Sequence, residues 1–284
     1  MKDTTNGRTQ EQRKAQAEAL HASIVDQVQQ LADSGQWRRF LDFARSFHTY
    51  SLNNLLLILA QHPDATLVAG FRQWQDKGRH VRKGERSIKI FGYSTKTITR
   101  REVGSDTDPE ERIAHYFPVL SVFDISQTDP VDGTTVPENP IHRLTGNHDH
   151  GVISPITAHL NATGWTVKRA SLTHANGYTN PEQHTVALHL DLTPEQAAKT
   201  LIHESAHIEL GHLDDLDEYR HHRGRMEVEA ESVAYIVAGL AGFDTSAYSV
   251  GYIAGWANQD VELIRDTASR VLKAARAIAD HIPA

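Results

Sequence analysis

Between Glu11 and Leu31, apolar side chains recur at Leu20, Ile24, Val28 and Leu31, the three- and four-residue steps of one helix face. Ser34-Gly35 interrupts the period, and Trp37, Phe40, Leu41, Phe43 and Ala44 restart it as a second amphipathic helix. A third run begins at Tyr50 or Ser51, passes through Leu55 to Leu59 and stops at His62-Pro63, because a residue before proline is pushed out of the α region. Phe71 to Lys77 allows one more short helix. From Arg79 the period shortens to two: Ser87 to Tyr93 and Tyr116 to Phe123 alternate as strands do, around a polar loop from Gly104 to Glu111.

Residues 126–151 contain three prolines, three glycines and almost no large apolar side chain. This predicts a linker at 129–150 between a domain over 1–128 and a second over 151–284. The second begins with a short helix (Ile156 to Ala162), a strand (Trp165 to Arg169) and another strand (Thr185 to Leu190). Helical patterns then run over Pro194–His212, Met226–Gly242, Ser246–Trp256 and Val261–Ile282. No internal repeat is visible. The expected fold class is α+β in two domains, the first helical with a small sheet, the second α+β with a helical second half.

At 284 residues, 39% hydrophobic and 23% charged, the chain has the composition of a soluble globular protein with a sizeable core. The longest apolar run, Leu55 to Ala60, is far too short to span a bilayer, and the N-terminal residues lack a secretory apolar core. The absence of cysteine excludes disulfides and Cys-ligated zinc. A cytoplasmic protein with no membrane partner is expected. The net charge of −7 hides an asymmetry. Phe71–Tyr93 holds seven basic residues against two acids, whereas Asp191–Glu231 holds eleven acids against four basic residues. Two modules with different partners follow.

In the acidic stretch, His203-Glu204-Ser205-Ala206-His207 places two histidines four apart with a glutamate after the first. In a chain with 18 histidines the pattern needs context. A helix start supplies it: Thr193 suits the N-cap, Pro194 the first helical position and Gln196 the capping box. Residues four apart share a helix face, so both imidazoles can reach one zinc ion. Glu204 lies about 100° round the helix, close to the ion but poorly placed to bind it, where a general base would activate water.

A catalytic zinc takes three protein ligands. The nearby His212 is expected to point off the face. Glu227 suits the third position, because the 20 residues after His207 let the helix end and a second helix return, with Ala230 and Ala234 permitting close approach. Glu231, one turn on, could instead orient an imidazole or be the ligand itself. Glu229 is expected to be solvated, and His221 and His222 are further ligand candidates on a polar loop.

In the basic stretch, Arg79, Arg82, Lys83, Arg86 and Lys89 could follow a phosphate backbone while an aromatic such as Trp74 stacks a base. Trp74, at helical spacing from Phe71, equally suits a core position.

The order H-E-x-x-H, then E-x-x-A-x-x-x-A, carried by His203, Glu204, His207, Glu227, Ala230 and Ala234, resembles the gluzincin peptidases. The likeness is to ImmA/IrrE-type endopeptidases and the C-terminal domain of ArdC-like antirestriction proteins. Five blocks, Phe47–Asn54, Leu59–Gln61, Val68–Trp74, Val81–Arg86 and Val122–Thr128, resemble the ArdC-type N-terminal domain. The resemblance implies a zinc hydrolase of peptide substrates with Glu227 as third ligand, joined to a single-stranded-DNA-binding domain in an antirestriction role on a plasmid or phage. It further implies that Thr185–Leu190 is an edge strand taking the substrate, and that a His or Tyr stabilises the oxyanion, with Tyr235, Tyr248 and Tyr252 as candidates. A repressor-cleaving peptidase and a DNA-binding protein with a catalytically silent zinc site are the alternatives.

Overall fold

The computed structural model describes residues 9–100, 110–131, 148–173, 175–245 and 260–283. Most of the loop expected at Gly104–Glu111, residues 132–147 of the expected linker, and the helix expected at Ser246–Trp256 with Tyr248 and Tyr252 lie outside them. Two compact units divide the chain, one of residues 1–25 and 53–136, the other of 26–52 and 137–284. Helices alternate with small sheets in this α+β fold, and no described helix is long and apolar enough to cross a membrane.

The first unit holds α3 (Leu52–Gln61), β1 (Val68–Gly70), α4 (Phe71–Asp76), β2 (Arg79–Val81), β3 (Ile88–Phe91), β4 (Ser94–Arg100), β5 (Glu110–Tyr116), β6 (Val119–Asp124) and β7 (Thr128–Pro130). Strands β1, β6 and β3 form an antiparallel sheet in that order, with Ile88 opposite Val122; β2 pairs with β7, and β4 with β5. The outer edge of β3 is covered by two amides of α3. Asn54 exchanges two hydrogen bonds with the Phe91 backbone, at 2.8 and 2.9 Å, and Gln61 does the same with Lys89. These side chains satisfy the exposed ladder as another strand would. Asp124 closes the far end, accepting from the Thr66, Leu67 and Ser126 amides. Burial raises its carboxyl, but those hydrogen bonds outweigh burial and hold it below its ordinary value.

Helix α1 (Gln10–Gln30) contributes to the first unit up to Val25 and to the second from Asp26. Helix α2 (Ser34–Phe47), capped by Asp33, belongs wholly to the second unit, a division other than the expected break at 129–150. Its buried Trp37, Phe40, Leu41, Phe43 and Ala44 form the face the sequence marked, and Phe47 extends it. That face belongs with α7 (Leu216–Leu240): Trp37 Nε1 donates to Ser232 Oγ at 3.0 Å, and the Arg45 guanidinium donates to the Gly239 carbonyl at 3.3 Å. Approach is tight there, since a Cβ at Gly239 would stand 2.2 Å from Arg45 Nε.

The rest of the second unit comprises α5 (Ile153–Ala162), β8 (Thr166–Ala170), β9 (Gly177–Asn180), β10 (Thr185–His189), α6 (Pro194–Glu209), α7 and α8 (Val261–Ala279). Strand order is β8-β10-β9, with β10 parallel to β8 and antiparallel to β9. The strand expected at the edge, Thr185–Leu190, is therefore the central one. Its near-continuous burial, Val186 to Leu188, reflects neighbours on both sides. The edge beside α6 is β9. Helix α7 starts ten residues before the expected Met226 and runs through a non-helical residue, His222 (φ −114°, ψ 19°).

Candidate metal centre

Helix α6 starts as its sequence dictates: Thr193 Oγ1 accepts from the Gln196 amide at 3.3 Å and Pro194 occupies the first turn. One turn apart on its face, His203 Nε2 and His207 Nε2 lie 3.2 Å from each other. From α7, Glu227 Oε2 approaches them to 3.4 and 3.9 Å. The fully buried Ala230 and Ala234 let the two helices come this close. These three donors all lie within 4.8 Å of one another and could hold a metal ion.

The outer nitrogens are also held. Glu231 Oε2 lies 3.2 Å from His203 Nδ1, and its Oε1 lies 3.1 Å from Lys199 Nζ. Glu231 thus addresses the back of an imidazole and Glu227 its front.

The other imidazole is backed by groups the sequence reading placed elsewhere. His212, expected to point off the face, is 0% exposed, with Nδ1 2.9 Å from His207 Nδ1. Glu229, expected in solvent, is 1% exposed and lies 2.8 Å from His212 Nε2. Thr267 Oγ1 of α8 donates to it at 3.2 Å, and the Arg270 guanidinium lies 3.5 Å away. Backbone geometry explains His212. Gly211, at φ 67°, ends α6 so that the His212 amide donates to the His207 carbonyl and the Gly211 amide to that of Ile208. This paired closure sets the second residue past the helix against the side chain three positions inside it. The glycine was the available signal.

Glu204 is nearly buried, and Thr179 Oγ1 of β9 donates to its Oε2 at 2.7 Å. Burial raises its carboxyl above the ordinary value, and the Thr179 bond and His203 offset this only in part. Burial lowers His203, but Glu227, Glu231 and Glu204 outweigh it and bring it up to about 9. His207, buried beside that charge, falls to about 3. Hydrogen bonding to His203 holds Glu227 well below its usual range despite partial burial.

Tyr219, which the sequence reading missed, donates its hydroxyl to Glu227 Oε1 at 2.7 Å, and its ring centroid lies 5.9 Å from that of His207. Burial first, then Glu227, pushes its phenol up to about 12. Tyr235 is instead buried in the core with its hydroxyl on Asp42, which removes it as an oxyanion candidate. His221 and His222 are exposed and outside the donor cluster.

In the first unit, two proposed DNA contacts are core residues. Trp74 is 0% exposed, with Nε1 on the Phe123 carbonyl at 2.9 Å, so it cannot stack a base. Arg79 is buried and binds Thr128 Oγ1 at 2.7 Å and the Thr128 carbonyl at 3.0 Å. Arg82 is exposed but faces Glu85 and Asp129, and Lys89 donates to Ser121 Oγ at 2.6 Å. Lys83 and Arg86 are exposed. Arg82 and Arg86 line an open surface cavity of 620 Å³ with His62, Gly84 and Ser87. Other aromatics are exposed: Phe71, Tyr116, and most fully Tyr93 at 67% and Phe117 at 63%, whose ring centroids lie 5.9 Å apart.

Residues 14–123 match the ArdcN family model, the N-terminal domain of anti-restriction factor ArdC. Uncharacterized protein pXO2-81 of Bacillus anthracis is 26% identical over 292 residues, covering 90% of this chain and 49% of that protein. The chain thus spans about half the length of the curated relative it matches. Among solved structures, the metal-free antirestriction ArdC protein from plasmid R388 is 24% identical over 81% of this chain and 83% of that one, with a TM-score of 0.47. Its Mn(II)-bound form gives 20% identity, 81% and 87% coverage, and a TM-score of 0.44. Residues 14–123 are thus similar to the N-terminal domain of anti-restriction factor ArdC.

Proposed function

We propose that the chain couples single-stranded-DNA binding to zinc-dependent peptide hydrolysis, in the service of protecting DNA from restriction. The hydrolase reading is carried by one observation: Glu204 lies beside the His203–His207–Glu227 donor triangle but is tethered to Thr179 of the neighbouring strand instead of joining the triangle. The donors fit zinc, two imidazole nitrogens and one carboxylate oxygen converging from two helices. Bound zinc supplies Lewis acidity, polarising a carbonyl and acidifying water.

The protein's own groups do the rest. Glu204, with its raised carboxyl, accepts the proton from the attacking water and returns it to the leaving amine. Strand β9 is the free edge beside α6, so an extended peptide can pair along it and bring its carbonyl over the donors. The Tyr219 hydroxyl donates to Glu227 Oε1 and so holds that carboxylate in place beside the imidazoles.

For DNA, Lys83, Arg86 and Arg82 supply charge, with Lys89 beside them. Tyr93 and Phe117 take the stacking role that the buried Trp74 cannot. The ArdcN match supports the antirestriction setting. Glu204→Gln tests the hydrolase: it should retain zinc and lose peptide cleavage by about 10²–10⁴-fold. Full DNA protection in that variant would detach catalysis from the function.

A further inference from the structure

The groups behind His207 form a chain of buried hydrogen bonds whose direction can be deduced. At its far end Glu229 presents a carboxylate, which only accepts, to His212 Nε2 at 2.8 Å. His212 Nε2 must therefore carry a hydrogen. A neutral imidazole with hydrogen on Nε2 has a bare Nδ1, and His212 Nδ1 lies 2.9 Å from His207 Nδ1. That contact is a hydrogen bond only if His207 Nδ1 is the donor. His207 Nε2 is then left with its lone pair directed at His203 Nε2 and Glu227.

We infer that His212 and Glu229 are positioning residues that fix His207 in its Nδ1–H tautomer and so preset Nε2 as a metal donor. The inference rests on His207 being a ligand, as proposed above. The rival arrangement is a His212 imidazolium donating at both nitrogens. His207 Nδ1 would then accept, its hydrogen would move to Nε2, and the metal position would be blocked. Glu229 is the acceptor at the end of the chain in both. Its carboxylate lies 3.5 Å from the Arg270 guanidinium and 4.0 Å from Arg225 Nε, and it accepts from Thr267 Oγ1. The two imidazoles are thereby wired differently: His203 is backed directly by Glu231, which Lys199 and solvent also reach, whereas His207 reaches its carboxylate through a second, fully buried imidazole.

The direct test is ¹⁵N spectroscopy of the histidine side chains in the full chain, first metal-free and then with zinc, His207 and His212 being assigned by loss of signals in His212→Phe. The expected result at neutral pH is hydrogen on Nδ1 of His207 and on Nε2 of His212, already present without metal. A doubly protonated His212, or His207 with hydrogen on Nε2, overturns the inference. In parallel, His212→Phe should lower zinc affinity by about 10–100-fold in chelator competition. His212→Asn, which can retain an acceptor toward His207, should recover most of it. Equal loss in both variants, with wild-type melting behaviour in the metal-free state, counts against the wiring. Should the wild type hold no zinc while the tautomers are as stated, the ligand reading falls and the hydrogen-bond direction stands.

Discussion

Three ionisable side chains at the α6–α7 crossing are displaced from their ordinary behaviour, and each displacement predicts a pH effect. His203 is raised to about 9, so the folded state binds its proton more tightly than the unfolded chain. That contribution to stability is complete below about 6.5 and is lost as pH rises through about 9. His207, lowered to about 3, and Glu227, also lowered, act in the opposite sense. His207 opposes folding at acid pH, a cost that vanishes as pH rises to the ordinary histidine value, and Glu227 contributes stability above the ordinary glutamate value that is lost as pH falls. The metal-free protein should therefore melt highest near pH 6.5, with a decline on both sides, as calorimetry in chelator would read. Zinc must displace the His203 proton, so its apparent affinity should rise about tenfold per pH unit between 6 and 8. Calorimetric titration in buffers of different ionisation enthalpy should show about one proton released per zinc; no proton release would mean that His203 is not a ligand.

At the scale of elements, the helix signals were legible where local chemistry sets them. Thr193 and Pro194 start the helix they were expected to start, and Thr193→Ala should cost about 1 kcal/mol in urea unfolding. The partner of a face is not a local property. The apolar stripe of α2 announces burial, but nothing in Trp37 or Phe40 says that α7 receives it. Likewise the residue types of Thr185–Leu190 mark a strand but not which strands flank it; β9, short and polar, gave no signal of its own. Glu229 was misread for a related reason. A glutamate on a long helix is solvated unless a distant segment brings a partner, and here Thr267 and Arg270 come from α8. Gly239 reports one such long-range contact: Gly239→Ala, whose Cβ would meet the flexible Arg45 guanidinium, should displace that side chain from the Gly239 carbonyl at a cost of about 1 kcal/mol or less in urea unfolding, partly offset by better helix propensity.

For the molecule as a whole, the convergence of His203, His207 and Glu227 was readable because helix spacing and a return helix constrain it, while the basic stretch conflated two kinds of cation. Arg79 and Trp74 support the first unit from within, and Lys83 and Arg86 face solvent. Their variants should differ in kind. Lys83→Ala or Arg86→Ala should leave melting unchanged and reduce the salt slope of single-stranded-DNA binding by about 0.7 per lost phosphate contact. Arg79→Ala should lower stability first. Tyr93→Ala or Phe117→Ala should weaken binding by about 1–3 kcal/mol with the slope intact. DNA binding that ignores salt would remove the electrostatic reading of this unit.

The central claim is the ligand set, and zinc content per chain, measured side by side in wild type, Glu227→Ala and Glu231→Ala, tests it most directly. The arrangement predicts about one zinc in the wild type, almost none after loss of Glu227, and zinc retained with about 10–100-fold weaker affinity after loss of Glu231, which only braces His203. Zinc lost from Glu231→Ala but kept by Glu227→Ala would contradict it.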